Sequence, residues 1–477
     1  MKPKLLFILI IISIIVRLIN IYKPIGGMNT WRQADTAAMA RNFVEYDFNI
    51  LHPQIDWAGI PPAMVESEFQ IYTFITAIFY KIFGINELIP RILSLMFSFL
   101  SMWFLYLLIK KFSDEKTAFW SILIYSFLPF NILFSNQIQP EPMMLMGITG
   151  GIWYFVEWLD NKRKVFFVLS MLLITIACLL KITSLHIGIL LFYLSWKKFN
   201  FKMFLKPQIV LYALFVLLLT GAWYYYAHLI KLETGVTFGI WEYGEDKWGN
   251  WALVGSLNFW NSIIFNTIAS KHLTWIGFPI FLYGLFMKRK EGDAFFDVWL
   301  LSAFIYLIIV AKGNYVHAYY QFPLILPMVY YMGKVFGKYM VLGNLKSLPS
   351  VSLHLALILI LILSSIWVIQ NLNKQDQKND EMYLLALDIK KIVPLDSPVI
   401  ILNDGDPVGF YNSHRKGFNA YCDRIDSTFF SDVKSKGAKY FAMKRTDYDK
   451  LQTNFIKLHF SSEDIILNNS NSVIYLL

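Results

Sequence analysis

Charged side chains are scarce in this chain: Asp, Glu, Lys and Arg make up 16% of its 477 residues, against 56% hydrophobic and 17% aromatic. With a mean hydropathy of +0.48, that balance lies far outside the range of soluble domains and marks a membrane protein. Cysteine is almost absent. Cys178 sits inside an apolar run and Cys422 near the C-terminus, too separated to pair, and no Cys/His spacing suggests a structural zinc site. P-loop, dinucleotide fingerprint, internal repeat and low-complexity tract are all missing, which argues against an ATP-driven pump. The net charge of +10 does not indicate nucleic acid either, because no basic helix is interleaved with base-stacking aromatics.

What is present is one apolar run after another. The first, 1–20, has the charged start of a secretory signal, but NIYKPIGG after it lacks a small-x-small cleavage site and the run is long enough to span. Further candidate spans cover about 88–109, 117–134, 142–159, 165–180, 183–196, 209–230, 273–287, 297–311, 316–336 and 351–369, which makes about eleven. Basic clusters fall at every second connection: Lys2/Lys4, Lys110/Lys111/Lys116, Lys162/Arg163/Lys164, Lys197/Lys198/Lys202/Lys206, Lys288/Arg289/Lys290 and Lys334/Lys338/Lys346. The positive-inside rule puts all of them on the cytoplasmic side of a cell membrane. The loop 22–87 with its juxtamembrane helices, the connections 135–141, 231–272 and 312–315, and the C-terminus are then extracytoplasmic. From about Asn371 the composition turns polar, with DEMYLLALDIKKI as a helix, SPVIIL and AKYFAM as strands and DGDP as a turn. The expected fold is a polytopic α-helical membrane domain over 1–370 and a small extracytoplasmic α/β domain over 371–477.

Sorted by side, the acidic residues gather outside: Asp35, Glu45, Asp47, Asp56, Glu66 and Glu68 in the first loop, then Glu141 in QPEPMM. Thr30 and Gln33 have capping-box spacing, so a helix is expected from Trp31 with Asp35 early in its second turn. Pro142 suits a first helical position and sets Glu141 at a helix N-terminus. Dipole stabilisation would account for either carboxylate; proton abstraction from a substrate at one water interface would account for both. Arg17, Lys181 in LLKITS and Lys312 before HAYYQFP are cations on the side where topology needs none, as snorkelling chains or as a phosphate clamp. TFGIWEYGEDKWGNW, with Trp241, Tyr243, Trp248 and Trp251, suits interfacial anchoring or a sugar-facing lid. A divalent cation stays open, with His52, Asp56, Glu66 and Glu68 as its ligands, although their spacing is not diagnostic.

WRQADTAAMARNF, HPQIDWAG, VESEFQIYTFITAIFYKIFG, QPEPMM, LLKIT and HAYYQFPLILP, in this order, resemble the polyprenyl-phosphate-sugar-dependent glycosyltransferases of the GT-C superfamily. The likeness is to the bacterial family 39, or aminoarabinose-transferase-like, branch, related to protein O-mannosyltransferases. It implies an inverting enzyme that moves a monosaccharide from a polyprenyl-phosphate carrier to a lipid, glycan or protein acceptor. Asp35 then matches the catalytic base and Glu141 the second acidic position. Arg32, Gln33, Glu66, Glu68, Lys181, Lys312, His317, Tyr319 and Tyr320 are the implied substrate-binding residues. The chain departs from the pattern where Ile182 follows Lys181 in place of a glycine, and where Glu68-Phe69-Gln70 replaces a Lys-Pro-Pro-like stretch. A polytopic transporter or flippase, or a non-catalytic subunit of polysaccharide assembly, is the alternative; midplane ionisable groups and repeat symmetry would mark a transporter.

Overall fold

The computed structural model describes residues 3–19, 21–25, 30–239, 248–340, 347–373, 380–451 and 461–477. Lys2, Lys346, Trp241 and Tyr243 lie outside the described residues. The first ten helices are α1 (Pro3–Leu18), α2 (Thr30–Glu45), α3 (Ile71–Phe83), α4 (Leu88–Phe112), α5 (Glu115–Phe127), α6 (Pro129–Phe134), α7 (Glu141–Asn161), α8 (Lys164–Leu180), α9 (Gly188–Phe199) and α10 (Pro207–Thr234). Longer helices follow at Thr274–Phe286, Asp293–Ile309, Phe322–Tyr339 and Leu348–Asn373. Each apolar run of the sequence is thus helical. Among the described residues, Leu88–Phe112, Pro207–Thr234 and Leu348–Asn371 are long and apolar enough to cross a membrane by length and composition. The run 117–134 divides at Leu128, whose backbone is extended (φ −65°, ψ 137°) because Pro129 disfavours a helical residue before it. The run 183–196 opens with a tight 3-10 stretch, Ile182–Ile187, before α9.

The chain forms two compact units. The first comprises Met1–Ile21, Arg91–Tyr226 and Gly239–Ile369 and is helical. Its closest pairing is the antiparallel hairpin of α7 and α8, where small residues let the backbones approach. A Cβ on Gly147 would meet the Leu173 carbonyl oxygen at 2.8 Å, and one on Gly151 would meet the Ile174 side chain at 2.6 Å. The Ser170 hydroxyl donates to the Gly151 carbonyl at 2.7 Å across the same seam. In such a hairpin the start of α7 and the end of α8 fall at one end. Arg17 in α1 is buried, donating to the Ser13 carbonyl at 3.0 Å and the Ser126 carbonyl at 2.7 Å; it braces helices.

The second unit comprises Tyr22–Pro90, Ala227–Phe238 and Gln370–Leu477. Its six-stranded sheet has the order β1-β3-β2-β4-β6-β5, from Ala58–Gly59 (β1), Val399–Leu402 (β2), Gly417–Ala420 (β3), Tyr440–Lys444 (β4), Ile465–Asn468 (β5) and Ser472–Leu476 (β6). β2 lies parallel to β3 and β4, and its unbroken apolar run VIIL is buried along its length, as a strand covered on both faces requires. β1 adds antiparallel to β3 with Ala58 opposite Phe418. One edge of the sheet is therefore supplied by the loop 22–87, so residues 371–477 share their sheet with that loop. Gly417 has no room for a side chain, since a Cβ would come within 1.7 Å of the Val399 carbonyl oxygen.

Candidate functional site

Half of the residues of helix α2 are polar or charged, yet every residue from Gln33 to Phe43 is buried. A polar helix buried on all sides must find partners for Gln33, Asp35, Thr36, Arg41 and Asn42. The Thr36 hydroxyl turns back to the Arg32 carbonyl at 2.7 Å. Asn42 donates to the Gln54 carbonyl at 2.8 Å and to Asp56 Oδ1 at 3.0 Å. Asp56 also takes the Arg41 guanidinium and the Lys416 ammonium as ion-pair partners, and its carbonyl accepts from Gly417 N at 3.0 Å. Burial alone would raise the Asp56 carboxyl, but the two cations outweigh it and hold the group below the usual carboxylate range.

Asp35 is set differently. No acidic residue occupies the first turn of α2, and dipole stabilisation fades beyond that turn, so the helix dipole does not explain it. Its Oδ1 accepts from Trp57 Nε1 at 3.0 Å. Arg32 directs its guanidinium to Glu68 in an ion pair and lies 5.8 Å from the Phe238 ring centre. Burial pushes the Asp35 carboxyl up to about 7; the Trp57 donor and Arg32 oppose this, while Asp56 and Asp406 reinforce it. Glu66 is fully buried and stitched to the 236–238 stretch: its N–H reaches the Val236 carbonyl at 3.0 Å, its carbonyl accepts from Phe238 N at 3.0 Å, and its carboxylate accepts from the Thr237 hydroxyl. Gln70 closes the turn before α3, donating to Ser67 Oγ at 3.0 Å and accepting from the Thr73 hydroxyl at 2.7 Å.

The first unit holds a second cluster. Glu141 begins α7, and Lys181 caps the C-terminus of α8 in extended backbone. Their shared end brings the Lys181 ammonium to 2.7 Å from Glu141 Oε1, and the same ammonium stands 4.0 Å from the Tyr320 ring centre and 4.7 Å from that of Tyr319. His317 lies 5.4 and 5.3 Å from these two rings, and Tyr306 donates to the Tyr320 carbonyl at 2.9 Å. Lys312 is half-buried in the short helix Ala311–Val316.

The candidates therefore fall into two groups: Arg32, Gln33, Asp35, Glu66 and Glu68 in one unit, Glu141, Lys181, Lys312, His317, Tyr319 and Tyr320 in the other. The metal-ligand set does not assemble. His52 pairs with Asp47, Asp56 with Arg41 and Lys416, and Glu68 with Arg32; among the described residues, no three acidic, His or Cys side chains group to hold an ion. Sequence reasoning missed Trp57, Arg41, Lys416 and Asp406. The burial of α2, which obliges distant residues to pair with its polar side chains, is what brings the first three to it.

Comparison with known proteins bears on this arrangement. Residues 70–226 match the family described as dolichyl-phosphate-mannose-protein mannosyltransferase. An uncharacterized protein of Aquifex aeolicus (strain VF5) is 30% identical over 163 residues, which is 33% of this chain and 32% of that protein, so the match spans a minor part of either. ArnT from Cupriavidus metallidurans, in its apo state, superposes with a TM-score of 0.67 at 11% identity, over 99% of this chain and 97% of that one. The same protein bound to undecaprenyl phosphate gives 0.64 at 11% identity, over 100% and 98%. The Archaeoglobus fulgidus oligosaccharyltransferase tethered with an acceptor peptide gives 0.56 at 13% identity, over 93% and 69%. The fold is that of the GT-C superfamily of membrane glycosyltransferases. Within that class it is ArnT-like along nearly the whole chain.

Proposed function

We propose that this protein is a membrane glycosyltransferase that moves one sugar from a polyprenyl-phosphate carrier to a hydroxyl of a lipid, glycan or protein on the outer face of the cell membrane, with Asp35 as base. The observation that carries the reading is the setting of Asp35: a carboxyl buried beyond the first turn of α2, oriented by Trp57 and raised to about 7. A general base works best when its proton affinity lies near the operating pH. As the acceptor oxygen bonds to the anomeric carbon, its proton passes to the Asp35 carboxylate. The bond from that carbon to the phosphate oxygen breaks, and the polyprenyl phosphate leaves with the bonding pair, inverting the centre.

Lys181 suits the departing phosphate. Its ammonium is held over two tyrosine faces and against Glu141, so a phosphate would take the place of the Glu141 carboxylate as its anionic partner. The binding of undecaprenyl phosphate by ArnT supports a lipid carrier. Topology supports it as well: the alternating basic clusters and about eleven spans leave α2 outside, where nucleotide sugars are absent and a lipid can present the sugar. In this reading residues 371–477 are extracytoplasmic.

The test is Asp35→Asn, which keeps the side-chain shape and removes its basicity. Transfer with a competent donor and acceptor should fall at least about a hundredfold while the protein still inserts and binds carrier. In cells, one carrier-linked monosaccharide should accumulate as one glycan substituent disappears. Near-normal transfer by the purified variant would sink the mechanism.

A further inference from the structure

Helices α9 and α10 are joined by WKKFNFKMFLKP, where lysines are interleaved with large apolar side chains. Asn200 (φ +48°) ends α9 and turns the chain into the 3-10 stretch Asn200–Leu205. Met203 is buried there, but Phe201, Phe204 and Leu205 are 74%, 59% and 82% exposed. With three residues to a 3-10 turn, Phe201 and Phe204 share a face, and the Trp196 ring holds Phe201 edge-on at 4.6 Å. Apolar side chains left open beside lysines at a helix end suit a membrane interface, rings toward hydrocarbon and ammonium groups toward headgroups.

Cations elsewhere on the same unit have carboxylate partners: Lys110 pairs with Glu115 at 3.2 Å, Lys111 with Glu157 at 2.6 Å and Lys290 with Asp114 at 2.9 Å. Lys162 and Lys206 instead converge on the Phe199 ring, their ammonium groups 4.6 and 5.6 Å from its centre. Neither makes an ion pair with any described residue. Lys198 beside them reaches Asp160 at 3.8 Å. Burial first, then the charges of Lys198 and Lys206, lower the Lys162 ammonium from its ordinary value, as crowded like charges do. Helix dipoles account for Lys162 and Lys198, which stand at the C-termini of α7 and α9. They do not account for Lys206, which directly precedes the N-terminus of α10, an end that repels a cation and attracts an anion.

We propose that Lys162, Lys206 and the start of α10 bind the phosphate of an anionic phospholipid, whose acyl chains lie along Phe201, Phe204 and Leu205. An anion at this point satisfies two lysines and a helix end together. The exposed apolar side chains select a lipid over free phosphate. Lys197, Lys198 and Lys202 in the same turn select an anionic headgroup, since a zwitterionic one brings its own ammonium.

The proposal does not depend on sugar transfer, and its test uses the full chain in detergent, titrated with phosphatidylglycerol or phosphatidylcholine and read by native mass spectrometry. Phosphatidylglycerol should bind more tightly. Lys162→Gln with Lys206→Gln should weaken its binding by about fivefold per lysine, while phosphatidylcholine binding changes little. Lys110→Gln with Lys290→Gln removes the same charge from paired lysines and should change phosphatidylglycerol affinity by less than about twofold. Phe201→Ser with Phe204→Ser should weaken the lipid severalfold, and excess inorganic phosphate should not displace it. Equal losses in the two lysine pairs would make the attraction diffuse and overturn the site. Equal affinity for the two lipids, wild-type affinity in the phenylalanine variant, or displacement by inorganic phosphate would each overturn it as well.

Discussion

Asp35 and Asp56 belong to the same compact unit, and they are 7% and 1% exposed. Burial is therefore nearly equal, and it pushes both carboxyls upward. What separates them is company. Asp56 has two cations and an amide, and it is held ionised; Asp35 has one indole N–H, its nearest helical cation being paired with Glu68, and it is raised to about 7. Equal burial with opposite shifts is how a protein obtains a fixed anion and a carboxyl of raised proton affinity from one residue type. The difference teaches that the sign of a shift is set by compensation.

The sharpest way to break the comparison is to empty the Asp56 position. Asp56→Ala leaves Arg41 and Lys416 buried and facing each other, and removing one partner from a buried ionic cluster typically costs about 3–5 kcal/mol. Thermal unfolding in detergent should fall steeply, with transfer lost in proportion to folded protein. Asp35→Asn should lose transfer without that collapse. If Asp56→Ala unfolds at the wild-type temperature, the cluster does not hold the unit together.

A smaller effect tests the company of Asp35. Trp57→Phe keeps a ring near Phe238, whose centre lies 6.5 Å away, and deletes the N–H donor to the carboxylate. A hydrogen bond to a charged group contributes about 1.5–3 kcal/mol, and losing it raises Asp35 further. The acidic limb of the pH–rate profile should move up by about one unit or more, so transfer falls about tenfold at pH 6 and recovers above pH 8. An unmoved limb would mean that Trp57 packs without tuning the base.

Much of this was legible in the sequence, in a way that follows from range. The helix expected from Trp31 begins one residue earlier, at Thr30, and Glu141 opens α7 with Pro142 beside it, because helix-start signals act within one turn. Apolar runs became helices because hydropathy is a property of the run. The Asp56 cluster was hidden: its lysine lies 360 residues away in sequence, inside an HRKG stretch that reads as a turn. β1 is two residues long and carries no strand pattern of its own; it exists because β3 offers an edge. DGDP does form a turn, closed by Gly405 N donating to Asn403 Oδ1 and Val408 N to Asp406 Oδ1.

The effect that reads the comparison directly is the pH dependence of stability. For Asp35 the folded state holds its proton more tightly than the unfolded chain, with about 7 against an ordinary value of 3.8. Between those values the folded state binds more protons, so its stability falls as pH rises through that window and the deficit is complete above about 7. Asp56 has the opposite sign: its contribution is present above the ordinary carboxylate range and disappears as pH falls through its lowered folded value. Asp35→Asn removes only the first dependence. Relative to wild type, the variant should gain stability from pH 5 to pH 7, at up to about 1.4 kcal/mol per unit, and then level off. Unfolding midpoints in detergent, measured for both proteins across that range, give the difference without needing a substrate. A gap that stays constant with pH would place Asp35 among ordinary carboxylates and leave it no advantage over Asp56 as an acceptor of the proton.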